Sequence, residues 1–167
     1  TAIVPAYTRA PAALAQQVAT LASVAPGRFV LGLGASSNVI VERWNGVPFE
    51  EPYRRVRDTT RFLKSALSGD KTSFDGEGLS SHGFRLKVKG FDGNVPIMIA
   101  ALREGMLRLA GRESDGAIIN WLSADDVRTV APIVQNASPD GTPKEVAARI
   151  FVVPSTDRDM VMNLAKY

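Results

Sequence analysis

Residues 27–46 read GRFVLGLGASSNVIVERWNG. The apolar run Phe29-Val30-Leu31 passes directly into Gly32-Leu33-Gly34 and then into small polar residues. Two readings compete: the phosphate-cradling glycine loop of a nucleotide-binding fold, or the end of a parallel strand whose loop borders another ligand. A dinucleotide fingerprint needs a third glycine for close helix–strand packing and an acidic residue about 20 positions on, near the end of the next strand. Position 37 is Ser, and Val56-Arg57-Asp58 falls in a helical stretch. The phosphate-binding pattern ending in Gly-Lys-Ser/Thr is absent as well. Gly34-Ala35-Ser36-Ser37-Asn38 then reads as a strand-end loop, where ligands sit in barrels and open sheets alike. A turn whose glycines only satisfy backbone geometry fits the spacing equally well.

Outward from this loop the segments alternate. Ala2-Ile3-Val4 is a short β-type run closed by Pro5, and Leu14, Val18 and Leu21 follow at helical spacing until Pro26-Gly27. Phe29 to Leu33 is a second strand. A polar segment with Trp44 and Pro48 leads to a helix near 51–68, where Tyr53, Val56, Leu63 and Leu67 share a face and Gly69 occupies the C-terminal cap position. Residues 70–94 break the rhythm: Gly, Asp and Ser are frequent, and Phe84 to Val88 alternates in polarity, which predicts an insertion with short strands. Pro96 to Ala100, Ala117 to Asn120 and Val146 to Val153 read as three more strands. Helices carrying Met106, Leu109 and Ala110, then Val127, Val130 and Val134, lie between them, and Met160 and Leu164 open another that runs to Lys166-Tyr167. Ser123 is placed to cap the second of these. Apolar strands alternating with amphipathic helices imply a parallel sheet covered by helices. Periodicity leaves an open doubly wound sheet and a (β/α) barrel both in play.

The 167 residues suffice for one domain with its own core, and 45% hydrophobic and 22% charged residues fit a globular chain. There is no cysteine, so disulfides and thiolate metal sites are excluded, and the composition suits a reducing cytoplasm. No apolar stretch reaches the roughly 20 residues that span a bilayer, and no signal-peptide pattern opens the chain. The net charge of +3 is concentrated in Arg54, Arg55, Arg57, Arg61 and Lys64. Without a recognition motif or interleaved aromatics this reads as a solvated helix face, not a nucleic-acid surface.

His82 is the one histidine, in a Ser-Ser-His-Gly loop with no nucleophile elbow elsewhere, and no acidic pair has metal-like spacing on a helix. Ala100-Ala101-Leu102-Arg103-Glu104-Gly105-Met106 passes from strand to helix, where free first-turn amides make a natural phosphate site that Arg103 could strengthen. Asn120-Trp121-Leu122 lies at a further strand end. Small, amide and aromatic groups at three strand ends suit a planar, uncharged ring better than a metal or a covalent nucleophile.

Ile3-Val4-Pro5-Ala6-Tyr7-Thr8-Arg9-Ala10-Pro11, Gly27 to Gly34, Pro96 to Ala101, and Leu109-Ala110-Gly111 with Asp115-Gly116 together resemble the bacterial luciferase-like monooxygenase superfamily. The likeness is strongest to its deazaflavin (coenzyme F-420) branch, such as methylenetetrahydromethanopterin reductases, and runs in order over nearly the whole chain. The resemblance implies a TIM-type (β/α)8 barrel, of which residues 1–167 would form about strands three to seven, one domain with the 70–94 insertion. It implies a cytoplasmic homodimer that transfers a hydride between the coenzyme and an organic substrate, without metal, nucleic acid or membrane. The alternatives are an FMN-dependent monooxygenase of the same fold and a non-catalytic barrel subunit.

Residue by residue, the resemblance implies a non-proline cis peptide at Ala2–Ile3 backing the coenzyme ring. It also implies a coenzyme contact from Asn38, and a phosphate held by the backbone of Leu102, Arg103 and Gly105. The chain departs from the family's glycines there, with the acidic Glu104 beside the expected phosphate. General acid or base groups of the family come from earlier strand ends, so no catalytic residue is assigned.

Overall fold

The computed structural model describes residues 1–166; Tyr167, expected to continue the last helix, lies outside the described residues. In chain order the elements are β1 (Val4–Pro5), α1 (Pro11–Val24), β2 (Leu31–Gly34), a π-helical turn (Val39–Trp44), α2 (Pro52–Leu67), β3 (Thr72–Asp75) and β4 (Ser80–Phe84). There follow β5 (Ile97–Ala100), α3 (Glu104–Glu113), β6 (Gly116–Asn120), α4 (Ala124–Asn136), β7 (Glu145–Arg149) and α5 (Arg158–Leu164). The main sheet runs β1-β2-β5-β6-β7 with every pairing parallel, and β3 and β4 form a separate antiparallel hairpin.

Side chains alternate across each strand, and the two faces differ in kind. Leu31 and Leu33, Ile97 and Ile99, Ala117 and Ile119 face the helices, where they pack with Leu14, Val18, Phe62, Leu63 and Leu107 in the core. The other face carries Gly32, Gly34, Met98, Ala100, Ile118 and Asn120, so two of its strands end in small residues and one in an amide.

The glycines of the Leu-Ala-Gly and Asp-Gly motifs permit close approach. A Cβ at Gly111 would stand 2.2 Å from the Val134 carbonyl oxygen of α4, and one at Gly116 2.2 Å from the Glu145 carbonyl oxygen of β7. Asp115 aligns the start of the adjacent strand: its carboxylate accepts the Ile97 N–H at 2.7 Å, and its own N–H donates to the Ile97 carbonyl at 2.9 Å.

The structure refines several expected boundaries. The first strand is shifted to Val4–Pro5, and Pro5 pairs opposite Gly34 in place of ending the run. An edge strand tolerates a residue without an N–H. β7 stops at Arg149, four residues before the expected Val153, because β6 has ended: Trp121 turns away with φ 54°, and its N–H makes the last contact to Arg149. The polar segment around Trp44 is a π-helical turn that buries Val41. His82 lies on β4 of the hairpin, not in a loop, with its ring exposed 3.4 Å from an Asp75 carboxylate oxygen. Ser123 caps α4 in a reciprocal capping box with Asp126.

The arginines of α2 are not a free basic face. Arg55 donates to the Ala6 and Gly78 carbonyls, Arg57 pairs with Asp58 and Glu77, and Arg61 pairs with Glu113. Arg54 reaches Glu77 at 3.2 Å. Asp58, 1% exposed, also accepts the Gly78 N–H at 2.7 Å, which clamps the hairpin to α2.

Candidate functional site

At the carboxyl ends of β1, β2, β5 and β6 the small-residue face opens into a cavity of about 360 Å³. Ile3, just before β1, and Pro5 of β1 line it, with Gly34, Ala35 and Ser36 from the end of β2, and Ala100 to Arg103 from the end of β5. Met106 contributes from α3, and Ile118 and Asn120 from β6. The walls are chiefly apolar, with few polar groups, the usual makeup of a small-molecule site.

Two features define what it can hold. Gly34 keeps one wall open: a Cβ there would lie 2.9 Å from Ile3 Cγ2 and 3.0 Å from Ala100 Cβ, among atoms that border the cavity. Asn120 presents an amide whose Oδ1 is buried and has no hydrogen-bond partner among the described residues. An orphaned acceptor of this kind costs about 1–3 kcal/mol, and a donor on a bound ring would satisfy it.

Beside this pocket begins α3. Its N-cap, Arg103, makes no side-chain cap, so the first-turn amides keep their donors without a capping oxygen. The positive end of the helix dipole lies at the same place. Glu104 is turned along the helix to Arg108, whose Nη2 and Nε donate to one carboxylate oxygen at 2.7 and 2.9 Å. Its charge is thus partnered by a cation. Arg103 makes no ion pair among the described residues and lines the cavity.

The expected site residues divide accordingly. Ile3, Leu102 and Arg103 border the cavity. The Ala2–Ile3 peptide is cis, and Ala2 lies behind Gly32, its Cα 3.2 Å from where a Cβ would stand. Gly105 is in the first turn of α3 with open space beside it. Asn38 is exposed at the start of the π-helical turn and is not among the lining residues. Pro5 and Ile118 also line the cavity, outside the candidate stretches of the sequence, whereas Ala100 and Met106 bound the stretch expected to hold a phosphate. For Pro5 and Ile118 the signal was strand parity, since Ile3/Pro5 and Ile118/Asn120 are i, i+2 pairs on one face.

A second cavity of about 300 Å³ is lined by Tyr7, Glu50, Glu51, Arg55 and Gly78, among others. Two of its polar side chains are already engaged: Tyr7 donates to the Glu50 carbonyl at 2.5 Å, and Arg55 to the Ala6 and Gly78 carbonyls. It offers less to a ligand than the first. Among the described residues no cluster of His, Asp or Glu could hold a metal ion, and no helix is long and apolar enough to cross a membrane.

Comparison with known proteins agrees with this geometry. The chain is 31% identical over 163 residues to the 5,10-methylenetetrahydromethanopterin reductase of Methanolobus tindarius, covering 95% of this chain and 48% of that protein. It is 36% identical over 124 residues to the F420-dependent glucose-6-phosphate dehydrogenase of Mycobacterium avium, covering 70% of this chain and 35% of that protein. The solved coenzyme F420-dependent tetrahydromethanopterin reductase of Methanopyrus kandleri superposes with a TM-score of 0.82 at 22% identity, over 94% of this chain and 50% of that one. The chain therefore spans about half the length, or less, of the relatives it matches. Residues 1–166 match the luciferase-like monooxygenase family, and the chain belongs to it.

Proposed function

We propose that this chain forms about strands three to seven of a (β/α)8 barrel, one domain with 70–94 as an insertion. We propose that the whole protein is a deazaflavin-dependent oxidoreductase transferring a hydride between coenzyme F-420 and a small organic substrate. The observation that carries the reading is the pairing of two sites at one sheet end. Among the described residues, an open apolar cavity with an unsatisfied amide adjoins a helix N-terminus without a side-chain cap and an arginine in no ion pair. A flat ring fits the first and a phosphate the second. The relatives' names support the deazaflavin branch.

Bound deazaflavin would supply the chemistry, hydride transfer at C5 of its ring. The chain's part is to position and to dry. Gly34 and Ala35 admit a planar system against the strand ends, Ile3 and Ile118 exclude water from its faces, and Asn120 fixes its orientation. Arg103, with the backbone of Leu102 and Gly105, would hold the phosphate, and Asn38 would close over the coenzyme from the β2 loop. Homodimer formation and cytoplasmic location belong to the same proposal.

Oxygen consumption by the full-length protein, measured with reduced coenzyme F-420 and with reduced FMN, tests the branch. Negligible uptake with F-420 together with turnover of its reduced form against an organic acceptor supports the reading. Uptake with reduced FMN that exceeds its spontaneous oxidation without protein and is coupled to oxygenation of an organic substrate assigns the protein to the oxygen-using branch instead.

A further inference from the structure

Asn120 is the last residue of β6 to line the cavity, and the sheet continues past it onto β7. In the parallel pairing of β6 with β7, Ile118 lies opposite Ala147 and Asn120 opposite Arg149. Register partners in a sheet share a face, so Arg149 stands on the face that Ile118 and Asn120 present to the cavity. The sheet face that borders the cavity therefore continues onto β7.

What stands there is chemically distinctive. Trp121 follows Asn120 with a left-handed φ of 54°, a conformation that costs a bulky residue about 1–2 kcal/mol. Its ring stacks on Phe151 with centroids 4.9 Å apart and planes at 25°. The Arg149 guanidinium carbon lies 5.5 Å from the Trp121 ring centroid. Trp121 remains 56% exposed and Phe151 78%, a large exposed aromatic area close in sequence to the cavity-lining Asn120 and the same-face Arg149. Arg149 has no carboxylate within ion-pair distance among the described residues, whereas four arginines of α2 are matched with acids or carbonyls. An arginine oriented by an aromatic ring keeps its planar donor fork free for an oxyanion.

We propose that Arg149, Trp121 and Phe151 form the substrate wall of the cavity. This wall selects a substrate that combines a planar conjugated ring with a carboxylate or phosphate group. The ring stacks on the aromatic pair, and the guanidinium takes the anion. The inference rests on the preceding reading that the cavity seats the coenzyme, because only then does the wall face a reacting centre. It distinguishes between the kinds of substrate that relatives' names suggest, favouring a planar conjugated anion over a sugar phosphate.

The test uses the full-length protein and three probes in calorimetric titration: pterin-6-carboxylate, its uncharged analogue 6-hydroxymethylpterin, and glucose 6-phosphate. The expected result is that pterin-6-carboxylate binds at least about tenfold more tightly than either other probe, as a charge-assisted contact added to stacking requires. Arg149→Gln abolishes the advantage over 6-hydroxymethylpterin, and Arg149→Lys keeps part of it. Trp121→Ala weakens both pterins about fivefold or more, with Trp121→Phe as the variant that retains a ring should the alanine fail to fold.

Equal binding of all three probes overturns the proposal. So does an Arg149→Gln variant whose melting temperature falls while its affinities stay unchanged, which would assign Arg149 to a carboxylate elsewhere in the whole chain. Titrating coenzyme F-420 into the same preparations separates the two readings. Coenzyme binding without probe selectivity sinks the wall alone. Probe selectivity without coenzyme binding leaves the wall standing and sinks the coenzyme reading.

Discussion

Gly34 stands so close to Ile3 that a methyl group has no room between them: a Cβ at 34 would lie 2.9 Å from Ile3 Cγ2. The opposite neighbour, Ala100 Cβ, would be at 3.0 Å, and both atoms are held close to their own backbone. Gly34→Ala therefore has to push β1 or β5 outward. We expect a loss of about 1–3 kcal/mol in stability, with coenzyme affinity falling by more than the stability loss explains. Thermal unfolding and titration on the same preparation measure the two effects separately; unchanged affinity would remove Gly34 from the site.

Asn120 allows the complementary experiment. Its Oδ1 is buried without a partner among the described residues, so Asn120→Leu leaves no donor or acceptor stranded among them. The expected outcome is stability within about 1 kcal/mol of the parent, or slightly above it, and coenzyme binding weaker by about 1–2 kcal/mol. A large drop in melting temperature would mean that the amide has a structural partner in the whole protein.

Much of the architecture was legible before any coordinates. The Leu31/Leu33, Ile97/Ile99 and Ala117/Ile119 side chains are apolar because they pack beneath the helices, and apolar strands alternating with amphipathic helices predict a parallel sheet. Ser123 and Gly69 mark helix ends by chemistry that acts within a few residues: a side-chain cap for the first, a left-handed φ of 88° for the second. Whatever depends on a distant partner was hidden. β7 ends at Arg149 because its neighbour turns at Trp121, which no property of Ile150 to Val153 reveals. The basic run of α2 looked like a free cationic face, since Glu77 and Glu113 reach it only after folding. Glu104 looked hostile to a phosphate, and its partner Arg108 was one helical turn away, detectable by i, i+4 spacing.

Asp58 contributes to the response to acid. Burial acts to raise its pKa, but the Arg57 hydrogen bond and the Gly78 N–H outweigh it and hold the carboxyl below the usual aspartate value. A carboxylate whose folded pKa is depressed stabilises the fold above its unfolded pKa of about 3.9, and that contribution is lost as pH falls through the folded value. Asp58→Asn should cost about 3 kcal/mol at pH 7, and the gap from the parent should narrow below about pH 4. Glu113, lowered chiefly by its hydrogen bond to Arg61, acts on the same limb, so the parent–variant difference is the quantity to follow. A gap that stays constant from pH 7 down to about pH 2.5 would exclude this role.

Gly116 tests the sheet. With the Glu145 carbonyl oxygen 2.2 Å from where a Cβ would stand, Gly116→Ala cannot be accommodated without separating β6 from β7. Loss of about 3 kcal/mol or more is expected, together with faster amide exchange along β7. A variant as stable as the parent would contradict the β6–β7 register on which the position of Arg149 depends.

The most direct measurement is equilibrium titration of the full-length protein with coenzyme F-420 and, separately, with FMN, repeated on Arg103→Gln. The account expects F-420 to bind at micromolar concentration or below, FMN far more weakly, and the Arg103 variant to lose about tenfold in F-420 affinity through the missing phosphate contact. Preference for FMN, or binding of neither cofactor, would contradict it.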